Sequence, residues 1–330
     1  MNKELKKVLV IGGAGYVGSA LVPALLDDGY KVNVFDTYWY GDVLKKHINL
    51  TETKGDIRNH KLVLKSSENI DAIIHLACIS NDPSFDLNPD LAESINYKAF
   101  FNILNSAKVN KVKRFIFASS SSVYGVKKEK NVTERSIPEP ITDYSKYKWL
   151  CEQELHKVDD MEWVIARPAT VCGYSPRLRL DVVVNILTAN AIENGKIKVF
   201  GTGENLRPNI NINDMVRVYQ TLLNSESGKI NKETFNTGYQ NMSILDIADT
   251  VIKVIGEDKV ELELVTENKD DRSYHINSDK IKNRLGFNVK YTVEDAILSI
   301  IDAYKEGKIA NDLQNSIYHN IKRMKELGIV

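Results

Sequence analysis

Lys7-Val8-Leu9-Val10-Ile11-Gly12-Gly13-Ala14-Gly15-Tyr16-Val17-Gly18 is the stretch from which the rest of the chain is read. Its apolar, β-branched start has the pattern of a buried strand. Gly12, Gly15 and Gly18 then recur at every third position. In a strand–loop–helix unit the first such glycine permits a tight turn and the second lets backbone approach a diphosphate. The third lets the helix pack on the strand, and N–H groups at the helix start hold the phosphates. Tyr16 and Val17, which open the helix, are expected to join these glycines in holding the ligand. Asp36 ends the next strand signal, and its distance from Gly18 is close to the roughly 20 residues expected of a ribose-binding carboxylate. A carboxylate there accepts hydrogen bonds from ribose hydroxyls and repels a 2′-phosphate. Thr37, not arginine, follows it, so the expected ligand is NAD and not NADP. Asp56-Ile57 follows a third strand signal and is placed to meet the adenine, although a surface turn explains that pair equally well.

Outward from this unit the same grammar continues. Ala72–Leu76, Arg114–Ala118 and Trp163–Ala166 are short apolar runs, whereas Tyr16–Leu26, Leu91–Lys108 and Tyr144–His156 carry helical periodicity. Near-continuous apolar strands separated by helices form a parallel sheet covered on both faces. The expected class is therefore α/β, a Rossmann-type doubly wound parallel sheet with a smaller C-terminal α/β substrate domain. The alternation loosens after Arg167, where proline and glycine recur, and helical patterns return at Leu245–Ile255 and Val293–Tyr304. At roughly 150 residues per domain, the 330 residues divide into an NAD-binding part over 1–168 and a mainly substrate-binding part over 169–330. A strand or helix of the second part is expected to return to the first.

Composition narrows the function. Lys+Arg and Asp+Glu are both 44, so the net charge is zero and the electrostatic footprint of a general nucleic-acid binder is missing. The 3 cysteines (Cys78, Cys151, Cys172) are widely spaced, which suits a reducing compartment, not a disulfide framework or a metal site. The apolar run near Met1 is too short for a membrane span, and no small-residue cleavage site follows it. A cytoplasmic protein without membrane or nucleic-acid partners is expected.

Tyr144-Ser145-Lys146-Tyr147-Lys148 puts Tyr144 and Lys148 one helical turn apart on one face. A phenol with a pKa near 10 is a poor base at neutral pH. A neighbouring ammonium, with the positive nicotinamide ring, favours the phenolate. Such a pair is commonplace on helices; its place after a dinucleotide loop and a fifth strand signal is what singles it out. That fifth strand signal ends in Ala118-Ser119-Ser120-Ser121-Ser122-Val123-Tyr124-Gly125. Strand C-termini in open α/β sheets face the ligand crevice, where a serine can hydrogen-bond the substrate hydroxyl that Tyr144 deprotonates. His75 is expected to satisfy local hydrogen bonds and Cys172 to fill apolar space, neither with a chemical role.

Gly12–Gly18, Asp36, His75-Leu76-Ala77, Asn96, the serine run before Val123-Tyr124-Gly125, and Tyr144 with Lys148 together resemble the extended short-chain dehydrogenase/reductase family. Arg207-Pro208-Asn209-Ile210-Asn211-Ile212-Asn213-Asp214 resembles that family's substrate-domain signature. More narrowly, residues from about 7 to 305 are similar to its nucleotide-sugar epimerase/dehydratase branch, best known through UDP-glucose 4-epimerase. The resemblance implies that Tyr144 is the general base and acid, that Lys148 orients the cofactor and lowers the Tyr144 pKa, and that Ser120 is the catalytic hydroxyl. It adds Leu76, Ala77 and Asn96 to the NAD contacts. Ser80, within Ser80-Asn81-Asp82-Pro83-Ser84, follows the fourth strand signal at the expected crevice and is a candidate for the sugar subsite with Ser121 and Ser122, and the resemblance places Arg207 and Arg272 near the nucleotide diphosphate. Val199, with Phe200 and Gly201, matches the segment on which the base packs. Guanidinium forks suit phosphate oxygens, although a salt bridge is the plainer account of any single arginine.

The departures from the family pattern carry information too. Thr170 stands where 4-epimerases have a substrate-binding asparagine. Ser175-Pro176-Arg177-Leu178-Arg179-Leu180-Asp181 is closer to a subgroup acting on unusual surface-polysaccharide sugars, and Arg177 and Arg179 are candidates for the same ligand. The family's 4,6-dehydratases carry Asp-Glu where this chain has Ser121-Ser122, so water elimination lacks its acid and base. The resemblance thus implies an NAD-dependent epimerase acting at C4 of a UDP- or GDP-linked sugar through a transient 4-keto intermediate. It also implies a homodimer built on Leu91–Lys108 and Tyr144–His156, with no metal. A dehydrogenase or reductase that stops halfway shares the hydride machinery, and a dehydratase is the weaker variant. A non-catalytic NAD-binding regulator is opposed by the presence of both Tyr144 and Lys148.

Overall fold

The computed structural model describes residues 5–80, 82–129, 131–266, 273–309 and 313–330. The apolar runs of the first half become β1 (Lys7–Ile11), β2 (Lys31–Asp36), β4 (Ala72–His75), β5 (Arg114–Ala118) and β6 (Glu162–Pro168), and the polar segment Leu50–Lys54 forms the edge strand β3. The second half adds β7 (Thr170–Cys172), β8 (Lys196–Phe200), β9 (Leu206–Asn211), β10 (Glu233–Thr237), β11 (Gln240–Ser243) and β12 (Glu261–Val265). Seven strands form one parallel sheet in the order β10-β6-β5-β4-β1-β2-β3. This is the doubly wound Rossmann arrangement. β4 and β5 are buried along their whole length, which is why they read as unbroken apolar runs. Strand order reverses between β1 and β4, and the crevice above such a reversal is where open α/β sheets bind ligands.

Residues beyond 168 complete this sheet. β10 runs beside β6 with Phe235 opposite Ala166. The helix Ile212–Asn224 packs Met215, Val218, Tyr219 and Leu222 into the same core as Val8, Val10 and Leu21. The remaining strands form a three-stranded sheet, β11-β9-β7, and a parallel pair, β12-β8. Around them the helices Val183–Asn194, Ile244–Ile255 and Val293–Lys305 enclose a separate apolar cluster. The last two begin at Ile244 and Val293 because Ser243 and Thr292 exchange side-chain and backbone hydrogen bonds with Asp246 and Asp295.

One element differs from its expected form. The single helix expected from Leu91 to Lys108 is instead Pro89–Glu93, a wider π-type turn at Ser94–Lys98, and Ala99–Val109. The wide turn carries buried Asn96, whose amide accepts from Ile79 N at 2.8 Å and donates to Ile79 O at 2.9 Å. Such turns often sit beside functional sites; this one secures the loop after β4. No helix among the described residues is long and apolar enough to cross a membrane.

Candidate active site

The strand ends around the β1/β4 reversal open into a cleft of about 540 Å³, within the 300–1,000 Å³ usual for small-molecule sites. Gly12 turns the chain out of β1 with φ +87°, and a Cβ there would stand 2.5 Å from Ala77 N, so no other residue fits. A Cβ on Gly18 would lie 2.4 Å from Gly12 O, and its absence is what lets the helix Tyr16–Asp27 rest on the strand end. Asp36 closes β2 with its carboxylate accepting from Ala14 N and Tyr38 N, both at 2.9 Å. Burial raises its pKa, and these backbone hydrogen bonds pull the other way. A carboxylate has about four acceptor positions, so room remains for ribose hydroxyls. Close-approach glycines, an acceptor at the end of β2 and a cleft of this size fit a dinucleotide.

At the far side of the cleft three of the expected groups come together. Ser120, in extended backbone after β5, caps the short turn Ser121–Tyr124 by accepting from Ser122 N at 3.1 Å. Its hydroxyl lies 2.8 Å from that of Ser122 and acts on the Tyr144 phenol, favouring its charged form. Tyr144 and Lys148 sit on the helix Asp143–His156, which starts where Thr142 and Ser145 cap each other. Lys148 is buried and donates from Nζ to Ala118 O at 2.7 Å, with the ammonium 5.9 Å from the Tyr144 ring centre.

In the chain itself the Tyr144 pKa lies well above its ordinary value. Burial is the main cause, Cys78 and Asp82 add to it, and Arg179 and the Ser120 hydroxyl oppose it. Burial thus outweighs, in the chain by itself, the lowering expected from Lys148 together with the positive nicotinamide ring. His75 also differs from expectation: its Nδ1 has no hydrogen-bond partner, and burial first, then Lys148, push its pKa down to about 3. It is a neutral ring packed between Phe100 and Phe117.

Sequence reading missed the network beneath these groups. Glu152, one turn beyond Lys148, is fully buried and forms an ion pair with Arg167, Nη2 to Oε2 at 2.6 Å. Arg167 Nη1 also donates to Tyr124 OH at 2.7 Å, and Ser119 Oγ donates to Glu152. One carboxylate therefore ties the helix Asp143–His156, β6 and the serine loop together. The i, i+4, i+8 spacing of Tyr144, Lys148 and Glu152 was the available signal.

Most of the other predicted residues line the same cleft: Gly15, Tyr16, Val17, Asp56, Ile57, Leu76 and Ala77 toward the first strands, and Ser80, Ser121, Ser122, Thr170, Arg179 and Arg207 toward the second half. Some are already engaged. The Tyr16 hydroxyl donates to Gly173 O at 2.6 Å and so joins the helix Tyr16–Asp27 to the loop after β7. Asp56 is forked by Arg58, with Nη2 to Oδ2 at 2.6 Å. Arg179 is held by Asp181 at 2.8 and 3.1 Å, and Arg207 lies 5.2 Å from the Tyr274 ring centre. Two residues lie elsewhere: Asn96 braces Ile79 from behind, and Val199 is buried in β8 within the second apolar cluster. Arg272 and Asn81 fall outside the described residues. Cys78, Asp82, Tyr40 and Asn320 also line the cleft, as does the candidate Arg177; the first three follow strands whose ends were located, whereas nothing local marks Asn320.

Comparison with known proteins agrees with this geometry. Residues 8–238 match the NAD dependent epimerase/dehydratase family. UDP-glucose 4-epimerase of Lactobacillus helveticus is 29% identical over 317 residues, covering 88% of this chain and 94% of that protein. dTDP-glucose 4,6-dehydratase of Streptomyces niveus is 26% identical over 320 residues, covering 92% and 94%. The structure of UDP-glucuronic acid 4-epimerase from Bacillus cereus, in complex with UDP-glucuronic acid and NAD, matches with a TM-score of 0.80 at 26% identity, over 91% of this chain and 99% of that one. UDP-glucose 4-epimerase from Thermotoga maritima, solved with UDP-glucose, matches with a TM-score of 0.83 at 25% identity, again over 91% and 99%. With a glycine loop, a carboxylate at the end of β2 and a Ser/Tyr/Lys cluster sharing one cleft, and the family pattern spanning residues 8–238, the chain belongs to the NAD-dependent epimerase/dehydratase family of nucleotide-sugar enzymes, in the extended short-chain dehydrogenase/reductase branch.

Proposed function

We propose that the protein is a nucleotide-sugar 4-epimerase working on a UDP- or GDP-linked sugar for surface-polysaccharide synthesis, as a cytoplasmic homodimer. The observation that carries this reading is the hydroxyl–phenol–ammonium cluster of Ser120, Tyr144 and Lys148, with serines at the two positions that follow Ser120. The cluster can move a proton at a sugar hydroxyl. The serines cannot protonate a leaving hydroxyl and abstract a carbon-bound proton as a carboxyl pair would. Bound NAD supplies the hydride acceptor and, once reduced, the hydride donor.

In this reading Tyr144 removes the C4-hydroxyl proton while Ser120 hydrogen-bonds the same oxygen. Lys148, anchored on Ala118 O, holds a fixed positive charge beside the phenol. Arg179 and Arg207 supply guanidiniums on the substrate side. After the 4-keto sugar turns its other face, Tyr144 returns the proton to the oxygen. A dehydrogenase would share every one of these roles, so the deciding measurement is the product. Incubation with UDP- and GDP-hexoses should give the C4 epimer by NMR, without net NADH absorbance. Tyr144→Phe should retain bound NAD but lose turnover by about 100-fold or more. Stoichiometric NADH accumulation, or near-normal turnover in Tyr144→Phe, would remove the epimerase reading.

A further inference from the structure

Arg177 is 4% exposed and lines the cleft. Its N–H donates to Ser19 Oγ at 3.1 Å, and the Ser175 hydroxyl donates to Tyr16 O at 2.7 Å. The loop that carries Arg177 is thereby pinned to the opening turn of the helix that leaves the glycine loop. Its guanidinium lies 3.7 Å from the Tyr40 ring centre, and Nη2 donates to Asn320 Oδ1. Nε is buried without a hydrogen-bond partner. A buried cation is costly until its donors are matched, and the matching acceptor for a guanidinium fork is a carboxylate or a phosphate.

The residue that holds Arg177 belongs to the C-terminal helix Asn320–Glu326. Asn320 Nδ2 also donates to Ser80 Oγ at 3.0 Å, and Arg323 Nε donates to Trp39 O at 2.6 Å. Trp39 follows β2 and Ser80 follows β4, while β1 lies between those two strands in the sheet. The helix therefore bridges the loops on either side of the glycine loop. Met324 seats it in the apolar cluster that contains Ile79 and Phe85.

We infer that Arg177 and Asn320 form a clasp for the diphosphate of bound NAD: Arg177 takes the phosphate oxygens, and the C-terminal helix holds it in place and must lift before the cofactor leaves. The inference rests on NAD binding, and it gives the cofactor retention that an epimerase needs a physical cause. The dinucleotide is favoured over the sugar nucleotide as the source of the anion because Arg177 is fastened to the nucleotide helix.

The test uses nucleotide-stripped full-length protein in wild-type, Arg177→Gln, Arg177→Lys and Asn320→Ala forms. Affinities for NADH, ADP-ribose, adenosine, UDP and GDP are measured by titration or competition, and NADH release is followed by its fluorescence. In Arg177→Gln, NADH and ADP-ribose should weaken by about tenfold or more while adenosine changes less than about twofold. Arg177→Lys should fall between, and Asn320→Ala should release NADH about tenfold faster. Equal loss of adenosine and ADP-ribose would reduce Arg177 to packing, and selective loss of UDP or GDP would assign it to the other ligand; either result overturns the clasp, as does unchanged NADH release in Asn320→Ala. If Arg177→Gln does not fold, the ADP-ribose-to-adenosine ratio in Arg177→Lys decides. Normal NADH binding by the variants sinks the clasp and leaves the epimerase reading standing, whereas failed epimerisation by wild type leaves the clasp standing.

Discussion

Tyr144 shows how a legible residue acquires a property that its neighbours in sequence do not set. Its pairing with Lys148 follows from spacing alone, yet the groups acting most on its charge come from three other loops: Cys78 and Asp82 after β4, Ser120 after β5, and Arg179 after β7. Burial holds the phenol above its ordinary pKa, so the basic form is scarce at neutral pH and turnover should rise with pH through the working pKa. Arg179 is a positive charge that opposes this rise. Replacing it by glutamine should move the rising limb of the kcat profile to higher pH. A profile with an unmoved limb would show that Arg179 has no hold on the base.

The helix Asp143–His156 makes the same point one level up. Its start, its length and its reactive face are written in the local sequence through the Thr142 cap and the four-residue spacing. Its attachment is not, because Glu152 looks like one more solvated carboxylate until β6 brings Arg167 against it. Both partners are buried, so removing one charge strands the other. Glu152→Gln should cost about 3–5 kcal/mol in denaturant unfolding, with turnover falling as the helix loosens from the serine loop. An unchanged unfolding midpoint would mean that the pair does not hold the helix. The π-type turn at Ser94–Lys98 escaped prediction for a related reason: a helical period describes the turns that conform to it, and the extra width serves Ile79, which lies in a different segment.

For the molecule as a whole, the proposed homodimer has a visible candidate surface. Phe101 is 42% and Val109 59% exposed on the helix Ala99–Val109, and the Tyr97 ring packs edge-on against Phe101 at 5.3 Å. Tyr97 also lies 5.7 Å from Tyr147 of the helix Asp143–His156, so the two helices present one aromatic face. Sedimentation should give a dimer mass, and Phe101→Glu should shift it toward monomer at micromolar concentration; a wild-type mass that stays monomeric as concentration rises would reject the dimer. Local spacing sufficed for the strands β1, β2, β4, β5 and β6, the glycine loop, Asp36 and the Tyr144/Lys148 face, because hydrophobic period, turn residues and one-turn intervals operate over a few residues; Ser120 was singled out among four serines by the family resemblance. The entry of β10 beside β6, the burial of Val199 away from the cleft, the turning of Asn96 onto Ile79 and the reach of Asn320 to Arg177 and Ser80 were settled only by folding. Each joins segments distant in the chain, and a residue's own neighbours carry no record of which remote partner will satisfy its buried surface or its hydrogen bonds.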